Sequence, residues 1–313
     1  TTRSVPLSTT MSYLVAATLL LLAVGAHAGG VRVDPASQHL VDDSGRVRVF
    51  HGVNVVYKIP PYYPEQESFN VVDSLCEEDM KNLQSWGVNV IRMGVMWRPV
   101  ENVQGSYNTT YLDIMRKLSD KLGEYDIWTL VDSHQDVLSR YMCGEGFPDW
   151  AMETLFNGTD DKWYSKFPLP LWYNVGKDGP YPNQTLCEEN EFATYYFSIA
   201  SNTAFQSLYS MPTMRQAFAS YWQQVAAAFN NSDTVLGYEL LNEPWPGDLY
   251  KDPLWFLEAG KQDLTNLLPL YQETYSAVRK SDPSTVVFYE PGVTWSFLDA
   301  AFGFTEGPGG PGD

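Results

Sequence analysis

The sequence predicts an α/β fold in which parallel strands alternate with helices. Short apolar runs rich in β-branched and aromatic residues alternate with stretches of helical periodicity, a pattern typical of βα units rather than of a β-sandwich. Several of these runs also end abruptly in polar residues. With 313 residues, 44% hydrophobic and 14% aromatic, the chain can bury a large core as one large domain or two small ones.

The alternation gives five strands with four helices between them. We predict strands at 47–56, 88–95, 127–133, 235–241 and 285–289. We predict helices at 77–86, 111–124, 214–229 and 265–280. Between the third strand and the third helix, about 137–212 forms a long insertion without regular periodicity, dense in Trp, Tyr, Phe and Pro. We interpret this insertion as an aromatic lobe added to the βα units.

The N-terminal part of the chain is typical of a signal peptide. The apolar stretch from Leu14 to Val24 is too short to span a bilayer, and the small-x-small site Ala26-His27-Ala28 follows it. We therefore assign 1–28 to upstream residues plus a signal peptide, and 29–313 to one folded domain that includes the aromatic lobe. The prediction is a secreted protein, or one in the lumen of an acidic organelle, with no transmembrane segment after cleavage.

Charge and glycosylation signals agree with that location. The formal net charge of −18 argues against a nucleic-acid partner, because phosphates would be repelled, and it suits a protein kept soluble outside the cytosol. Four Asn-x-Ser/Thr sequons predict a glycoprotein, although such short motifs also arise by chance. They begin at Asn108, Asn157, Asn183 and Asn230.

The cysteines and histidines predict a disulfide but no metal centre. Three cysteines are an odd number for a secreted chain, so one is free, pairs between chains or lacks its partner. We favour a bond between Cys143 and Cys187, which flank the aromatic lobe and would pin it to the scaffold. This pairing leaves Cys76 over. The four histidines are scattered, one in the signal peptide, so we expect neither a metal nor another cofactor.

Polar side chains lie at or near the carboxyl end of each of the first four predicted strands. In a (β/α)₈ barrel the chemistry lies on the loops after the carboxyl ends of the strands, so such residues are candidates for a site. One of them alone is as easily structural as functional, but four successive strands that end this way make a purely structural reading much weaker. The candidates are Lys58, Arg92, His134, Asp136, Asn242 and Glu243.

The segment LGYELLNEP gives the most specific chemistry. It places Glu243 where a buried strand opens to solvent, with Asn242 beside it, as expected for a carboxyl group held for general acid work on a sugar. For an isolated Asn-Glu-Pro, a charged turn stopped by proline is an equally good interpretation. Arg92 is suited to hold a carboxylate and lower its pKa. His134 and Asp136 are suited to fix sugar hydroxyls or the catalytic carboxyl.

Taken together, these motifs resemble glycoside hydrolase family 5, through IRMGVMW, DSHQD and LLNEP in that order. Within this family the chain looks like the endoglycoceramidases. That closer similarity rests on Gly52, Asn54, Lys58, Pro60 and Pro61, on His134, Gln135 and Asp136, and on Gly146, Pro148 and Trp150. The resemblance covers nearly the whole chain after the signal peptide.

The resemblance implies a (β/α)₈ TIM barrel, of which about the first five βα units are present. It implies a retaining enzyme that cleaves the β-glycosidic bond between oligosaccharide and ceramide. By this similarity Glu243 is the acid/base, Asn242 contacts the sugar 2-hydroxyl, and Lys58 and Asp136 bind hydroxyls of the first sugar. By the same similarity Trp172, in the aromatic lobe, is a side chain against which a sugar ring stacks.

The sequence departs from this family at the nucleophile. A retaining mechanism needs a second carboxylate about 5 to 5.5 Å from the first, and the family keeps it in a Glu-Phe-Gly type segment at strand seven. The sequence stops soon after strand five, so we expect a C-terminally truncated chain that lacks the nucleophile. Glu290, at the end of strand five, competes for this role, but we favour a supporting one.

Other interpretations stay open. The aromatic lobe either packs over the barrel or binds a ceramide tail at a membrane surface or micelle, with a glycosphingolipid as the expected partner. Another family 5 β-glycosidase, acting on cellulose, mannan or a steryl glucoside, would share Arg92 and the Asn-Glu-Pro motif. A barrel that binds glycans without cleaving them is the non-enzymatic alternative.

Overall fold

A computed structural model describes residues 30–156, 177–179, 181–293, 304 and 307–310. The predicted signal peptide and Trp172 lie outside these residues. Within them, five strands form one parallel sheet, in the order β3-β4-β5-β8-β9. These strands are Gly52–Val55 (β3), Val90–Gly94 (β4), Trp128–Asp132 (β5), Val235–Glu239 (β8) and Val286–Phe288 (β9). All five predicted strands are therefore confirmed.

Two short antiparallel pairs lie outside this sheet. They are Arg32–Val33 (β1) with Leu40–Val41 (β2), and Lys177–Asp178 (β6) with Tyr181–Pro182 (β7). The first predicted strand is shorter than expected, because Val47 makes an isolated bridge to Val41 and the parallel pairing begins at Gly52. The chain thus enters the sheet five residues later than its apolar pattern indicates.

Nine α-helices occur in the part of the chain that the structure describes. They are α1 (Glu77–Ser85), α2 (Trp97–Val100), α3 (Thr109–Gly123), α4 (Asp149–Leu155), α5 (Gln184–Glu188), α6 (Ile199–Ser210), α7 (Pro212–Phe229), α8 (Leu254–Leu257) and α9 (Leu268–Ser281). Two 3₁₀ turns, Arg140–Met142 and Phe192–Phe197, and a π-helical turn, Asp263–Leu267, complete the helical structure. All four predicted helices are present.

Local chemistry explains where the long helices begin. The side chain of Asn108 accepts a hydrogen bond from the backbone N–H of Tyr111 at 3.0 Å and so caps α3. Pro212 starts α7, where the missing N–H of proline costs nothing because the first turn has no partner for it. The helix α3 packs against β5, while α7 packs along α9 and its Trp222 contacts Tyr238 of β8.

The predicted insertion contains helices that periodicity did not reveal. The helix α6 is buried on most sides, and Ala204, Phe205 and Leu208 are fully enclosed in the same hydrophobic core as the sheet. A helix surrounded by protein needs no polar stripe, so the 3.6-residue alternation that reveals a surface helix is absent from its sequence. The expectation of only four helices was therefore wrong.

The core lies between the sheet and the helices, with large aromatic side chains at its centre. Trp97, Tyr221, Trp222 and Tyr238 are fully buried, and the hydroxyl of Tyr221 donates to the carbonyl oxygen of Val95. Burial of Trp and Tyr requires such partners for their polar atoms, and this one ties α7 to the loop after β4.

A close approach between β8 and β9 requires glycine at position 237. A Cβ atom there would lie 2.3 Å from the ring of Phe288 and 2.6 Å from the carbonyl oxygen of Val286. Any larger residue would push these two strands apart, and with them the loops that follow each strand.

The disulfide prediction is confirmed. Cys143 and Cys187 are bonded, with their Cα atoms 5.5 Å apart, and the bond ties the 3₁₀ turn Arg140–Met142 to α5. Cys76 is a free, buried thiol at the start of α1. Among the residues that the structure describes, none of the helices combines the length and apolar character needed to cross a bilayer.

Candidate active site

The predicted polar residues meet at one edge of the parallel sheet. Parallel strands present their carboxyl ends on the same side, so the residues that follow β3, β4, β5, β8 and β9 converge there. The structure brings together six of the predicted site residues, namely Lys58, Arg92, His134, Asp136, Asn242 and Glu243. Trp172 lies outside the described residues.

Arg92, on β4, is the centre of this cluster. Its Nε and Nη2 atoms donate to the two carboxylate oxygens of Glu239, at 2.6 and 2.8 Å. Nη2 also donates to Oδ1 of Asn242 at 2.8 Å and lies 3.4 Å from Oε1 of Glu290. Nη1 lies 3.0 Å from Oδ2 of Asp132. One planar guanidinium thus joins three neighbouring strands and the loop that carries Asn242.

The expectation that Arg92 holds a carboxylate is met by Glu239. Burial alone would raise the pKa of Glu239, but hydrogen bonds from Arg92 and Glu290 lower it below its usual value. Glu239 is only 6% exposed, and its charge is balanced by the guanidinium. It is therefore held as a carboxylate that anchors Arg92.

His134 links two buried aspartates. Its Nδ1 atom lies 2.8 Å from Oδ2 of Asp132, and its Nε2 atom lies 3.2 Å from Oδ2 of Asp136. Burial would lower the pKa of His134, but the hydrogen bonds to Asp132 and Asp136 outweigh it and raise the pKa to about 9. The imidazole is therefore charged at neutral pH and donates from both nitrogens.

Lys58 lies between two carboxylates at the outer side of the cluster. Its ammonium is paired with Asp136 and lies 2.7 Å from Oε1 of Glu145. Burial and a hydrogen bond with Asp136 raise the pKa of Glu145 to about 7, against the opposing effect of Lys58. Hydrogen bonds with His134, Glu145 and Lys58 overcome burial and hold the pKa of Asp136 well below its usual range. Nearly half of the Lys58 side chain is exposed, so this group faces solvent.

These donors and acceptors suit a sugar better than a metal ion. One ligand atom each from His134, Asp136 and Glu145 lies within 4.8 Å of the others, which a cation site requires. The ammonium of Lys58 already pairs with both carboxylates, and His134 carries its own positive charge. The protein's own cations therefore neutralise the cluster. Paired charges of this kind, reached from solvent on the Lys58 side, are suited to hydrogen-bond vicinal hydroxyls.

Gln135 locks the loop after β5 to the loop after β8. Its Nε2 atom donates to the carbonyl oxygens of Asn242 and Glu243, at 2.7 and 3.2 Å. In return, Nδ2 of Asn242 donates to the carbonyl oxygen of Gln135 at 2.9 Å. Gln135 is fully buried and Asn242 is 4% exposed. We refer to these three hydrogen bonds as the Gln135 latch.

Glu243 is exposed at the end of this latched segment. Its backbone adopts the left-handed conformation, with φ of 40°. Non-glycine residues rarely do so, and they keep this conformation only where the surrounding structure enforces it. Pro244 follows and the buried Trp245 anchors the chain beyond it. The turn therefore presents the carboxyl-bearing residue to solvent while its neighbours stay in the core.

Glu290, after β9, lies against this turn. Its Oε2 atom accepts a hydrogen bond from the backbone N–H of Glu243 at 3.2 Å. Burial and a hydrogen bond with Glu239 raise the pKa of Glu290 to about 8. A nucleophile must be ionised, so this raised pKa favours the supporting role, which stays a prediction.

The sequence did not single out Asp132, Glu239 or Glu145. Asp132 and Glu239 are carboxylates within the apolar runs LVDSHQD and LGYELLNEP, and an ionisable residue inside a buried strand is a usable signal. Glu145 has no such signal. It reaches Lys58 because an antiparallel bridge joins 136 to 145, which periodicity does not reveal.

Comparison with known proteins agrees with the fold. The family model described as Cellulase (glycosyl hydrolase family 5) matches residues 66–301. The chain therefore belongs to glycoside hydrolase family 5. Its fold class, an α/β fold with the parallel sheet of a (β/α)₈ barrel, is that of the family.

Particular relatives are endoglycoceramidases. The chain is 41% identical over 281 residues to an endoglycoceramidase of Cyanea nozakii, covering 90% of this chain and 54% of that protein. It is 40% identical over 283 residues to an endoglycoceramidase of Hydra vulgaris, covering 90% and 52%. The solved endo-glycoceramidase II from Rhodococcus sp. superposes with a TM-score of 0.60 at 24% identity, covering 81% and 51%, which supports the fold. The chain spans about half the length of these relatives.

Proposed function

We propose that the protein is a retaining β-glycosidase that hydrolyses the bond between oligosaccharide and ceramide in glycosphingolipids. The observation that carries this proposal is the turn at Glu243, which presents a carboxyl-bearing residue at the sheet edge while Asn242 and Arg92 hold it from below. The endoglycoceramidases of Cyanea nozakii and Hydra vulgaris, similar over 90% of the chain, support the choice of substrate.

In this mechanism Glu243 is the acid/base. It donates its proton to the glycosidic oxygen as the bond to the anomeric carbon breaks, while a second carboxylate attacks that carbon from the other face. Glu243 then takes a proton from water, and the resulting hydroxide displaces the enzyme carboxylate from the sugar. The nucleophile remains a prediction from the family pattern, which keeps it in a Glu-Phe-Gly type segment at strand seven.

The cluster around Lys58 is proposed to hold the first sugar. Lys58 donates hydrogen bonds, Asp136 and Glu145 accept them, and a pyranose presents adjacent hydroxyls that do both. Both nitrogens of His134 are engaged by Asp132 and Asp136, so His134 holds this cluster in place. Asn242 is proposed to contact the 2-hydroxyl, because its amide nitrogen has two N–H bonds and Gln135 takes one of them.

We further propose that the substrate is met at a membrane surface or micelle, outside the cell or in the lumen of an acidic organelle. The signal-peptide pattern of 1–28, the sequons and the net charge of −18 support this location. The aromatic lobe that contains Trp172 supports contact with the ceramide tail, because its sequence is unusually rich in Trp, Tyr and Phe.

Replacement of Glu243 by Gln in the full-length protein tests this function. We expect the variant to lose about 10²- to 10⁴-fold in the rate of glycosphingolipid hydrolysis, because Gln cannot donate the proton. The measurement is release of oligosaccharide from a glycosphingolipid in detergent micelles. Glu188→Gln, an exposed glutamate on α5, is the control and should keep wild-type turnover. Unchanged turnover in Glu243→Gln would contradict the proposal.

The same assay separates the alternatives. Cellulose, mannan and a steryl glucoside are offered beside the glycosphingolipid, and faster hydrolysis of any of these would move the assignment to another activity within family 5. Sugar binding without hydrolysis of any substrate would favour the non-catalytic barrel.

A further inference from the structure

The segment after β9 braces the turn that carries Glu243. The carboxyl of Glu290 accepts the N–H of Glu243 at 3.2 Å, and the N–H of Val293 donates to the carbonyl oxygen of Pro244 at 2.8 Å. This segment is itself anchored, because the hydroxyl of Tyr271 on α9 donates to the carbonyl oxygen of Glu290 at 2.8 Å. Two consecutive residues of the turn are therefore held by the neighbouring strand's loop.

Both peptide groups of Glu243 are fixed by side chains. Its N–H is held by Glu290, and its carbonyl oxygen accepts from Gln135 at 3.2 Å. These contacts grip the residue on both sides of its left-handed backbone, whose φ is 40°. A non-glycine residue keeps such a conformation only when the surroundings enforce it. The direction of the Glu243 side chain therefore depends on these two hydrogen bonds.

Glu290 also connects the turn to the buried ion pairs. Arg92 on β4, Glu239 on β8 and Tyr271 on α9 face it, together with Glu243 itself. Because burial and Glu239 raise the pKa of Glu290 to about 8, Glu290 keeps a proton at neutral pH and donates it toward Glu239. Its Oε2 atom is then a neutral acceptor for the N–H of Glu243.

Resting on the acid/base role proposed for Glu243, we propose that Glu290 is a positioning residue for proton transfer. It holds the backbone N–H of Glu243 in the left-handed turn and connects this turn to Glu239 and Arg92, so that the acid stays aimed at the leaving-group oxygen. Glu290 does not touch the reacting atoms. Its effect is specific to the step in which the leaving group is protonated.

Leaving-group dependence tests this proposal in the full-length protein. We expect Glu290→Ala to lower kcat/KM for a glycosphingolipid by roughly 10- to 100-fold, because a misplaced acid protonates its ceramide oxygen poorly. A 2,4-dinitrophenyl glycoside of the same sugar leaves without protonation, so its kcat/KM should fall by less than about threefold. Glu290→Gln should recover most of the loss, since its amide donates to Glu239 and its oxygen accepts from Glu243.

The matched control is Glu273→Ala. Glu273 has nearly the same exposure, 34% against 32% for Glu290, but it pairs with Arg215 on the outer helices. Glu273→Ala should leave kcat/KM unchanged for both substrates. Equal losses on the two substrates in Glu290→Ala would overturn the positioning role. If Glu243→Ala also lowers kcat/KM equally for the glycosphingolipid and the 2,4-dinitrophenyl glycoside, the acid/base assignment of Glu243 fails instead.

A spectroscopic measurement tests the hydrogen bond without activity. In ¹⁵N-glutamate-labelled protein, the amide resonance of Glu243 should titrate near the pKa of Glu290, about 8, and this titration should vanish in Glu290→Gln. An amide resonance that is unchanged by pH and by the substitution would overturn the proposal, even if the protein hydrolyses glycosphingolipids.

Discussion

At the scale of single residues, His134 makes the fold sensitive to alkaline pH. Its pKa is raised from the ordinary value of 6.5 to about 9, so its contribution to stability is fully present below about pH 6.5 and is lost as pH rises through about 9. We expect wild type to lose about 3 kcal/mol of unfolding free energy from this group over that window. Urea unfolding of wild type and His134→Gln, at about pH 6 and about pH 10, measures this difference.

The control for His134 is His39→Gln, because His39 is exposed. It should keep the full pH dependence of wild type. If His134→Gln also keeps the full pH dependence of the unfolding free energy, His134 is not its source. The paired aspartates then do not hold a proton on the imidazole.

At the scale of structural elements, the disulfide fixes the segment that brings Glu145 to Lys58. Cys143 lies two residues before Glu145, and its bond to Cys187 closes a loop of 44 residues in sequence separation. We expect the double variant Cys143→Ser/Cys187→Ser to lose about 2 to 4 kcal/mol of stability, because the unfolded chain gains freedom. The shift of the urea midpoint measures this loss.

Cys76→Ser is the matched control for the disulfide variant. Cys76 is free and caps α1, and serine is a good residue at that position. Addition of reducing agent should cause the same loss of stability in wild type and in Cys76→Ser. A double variant as stable as wild type would contradict the role of the bond.

The sequence predicted elements well where pattern and burial agree. The five strands are apolar runs that end in polar residues, and α3 and α7 bury one face only, so their periods are visible. The helix α6 is enclosed by protein, so its sequence has no polar face and shows no 3.6-residue alternation. The pairing of Asp136 with Glu145 depends on an antiparallel bridge within an irregular segment, and no local rule predicts such contacts.

The residues of the candidate site were predictable for a different reason. In a parallel sheet all carboxyl ends meet, so a polar residue at each strand end is enough to place Arg92 near Asn242 and Glu243. Which carboxylate pairs with each cation depends on how far apart the side chains lie in the folded protein. The pairing of Arg92 with Glu239, and of Lys58 with Glu145, is therefore seen only in the structure.

At the scale of the whole molecule, the parallel sheet has two open edges in the described residues. There β3 pairs only with β4 and β9 only with β8, and Val53 on β3 is 43% exposed. Strand edges with apolar side chains pair with other chains. We expect the 313-residue chain expressed by itself to self-associate, with an apparent mass that rises with concentration in light scattering after gel filtration.

A pair of valine substitutions identifies the surface responsible. Val53→Lys should reduce this association, because a charge on an edge strand opposes pairing. Val33→Lys changes a valine of similar exposure, 49%, on the separate pair of β1 and β2 and should have no effect. A monomer at all concentrations, or equal effects of both variants, would contradict the edge model.

The Gln135 latch has a consequence for how such an enzyme changes during evolution. The loop after β5, which carries Gln135, and the loop after β8, which carries Asn242 and Glu243, share three hydrogen bonds, so neither can shift without moving the other. Natural variants with new glycan preferences should therefore keep this pair of loops intact and alter outlying segments instead.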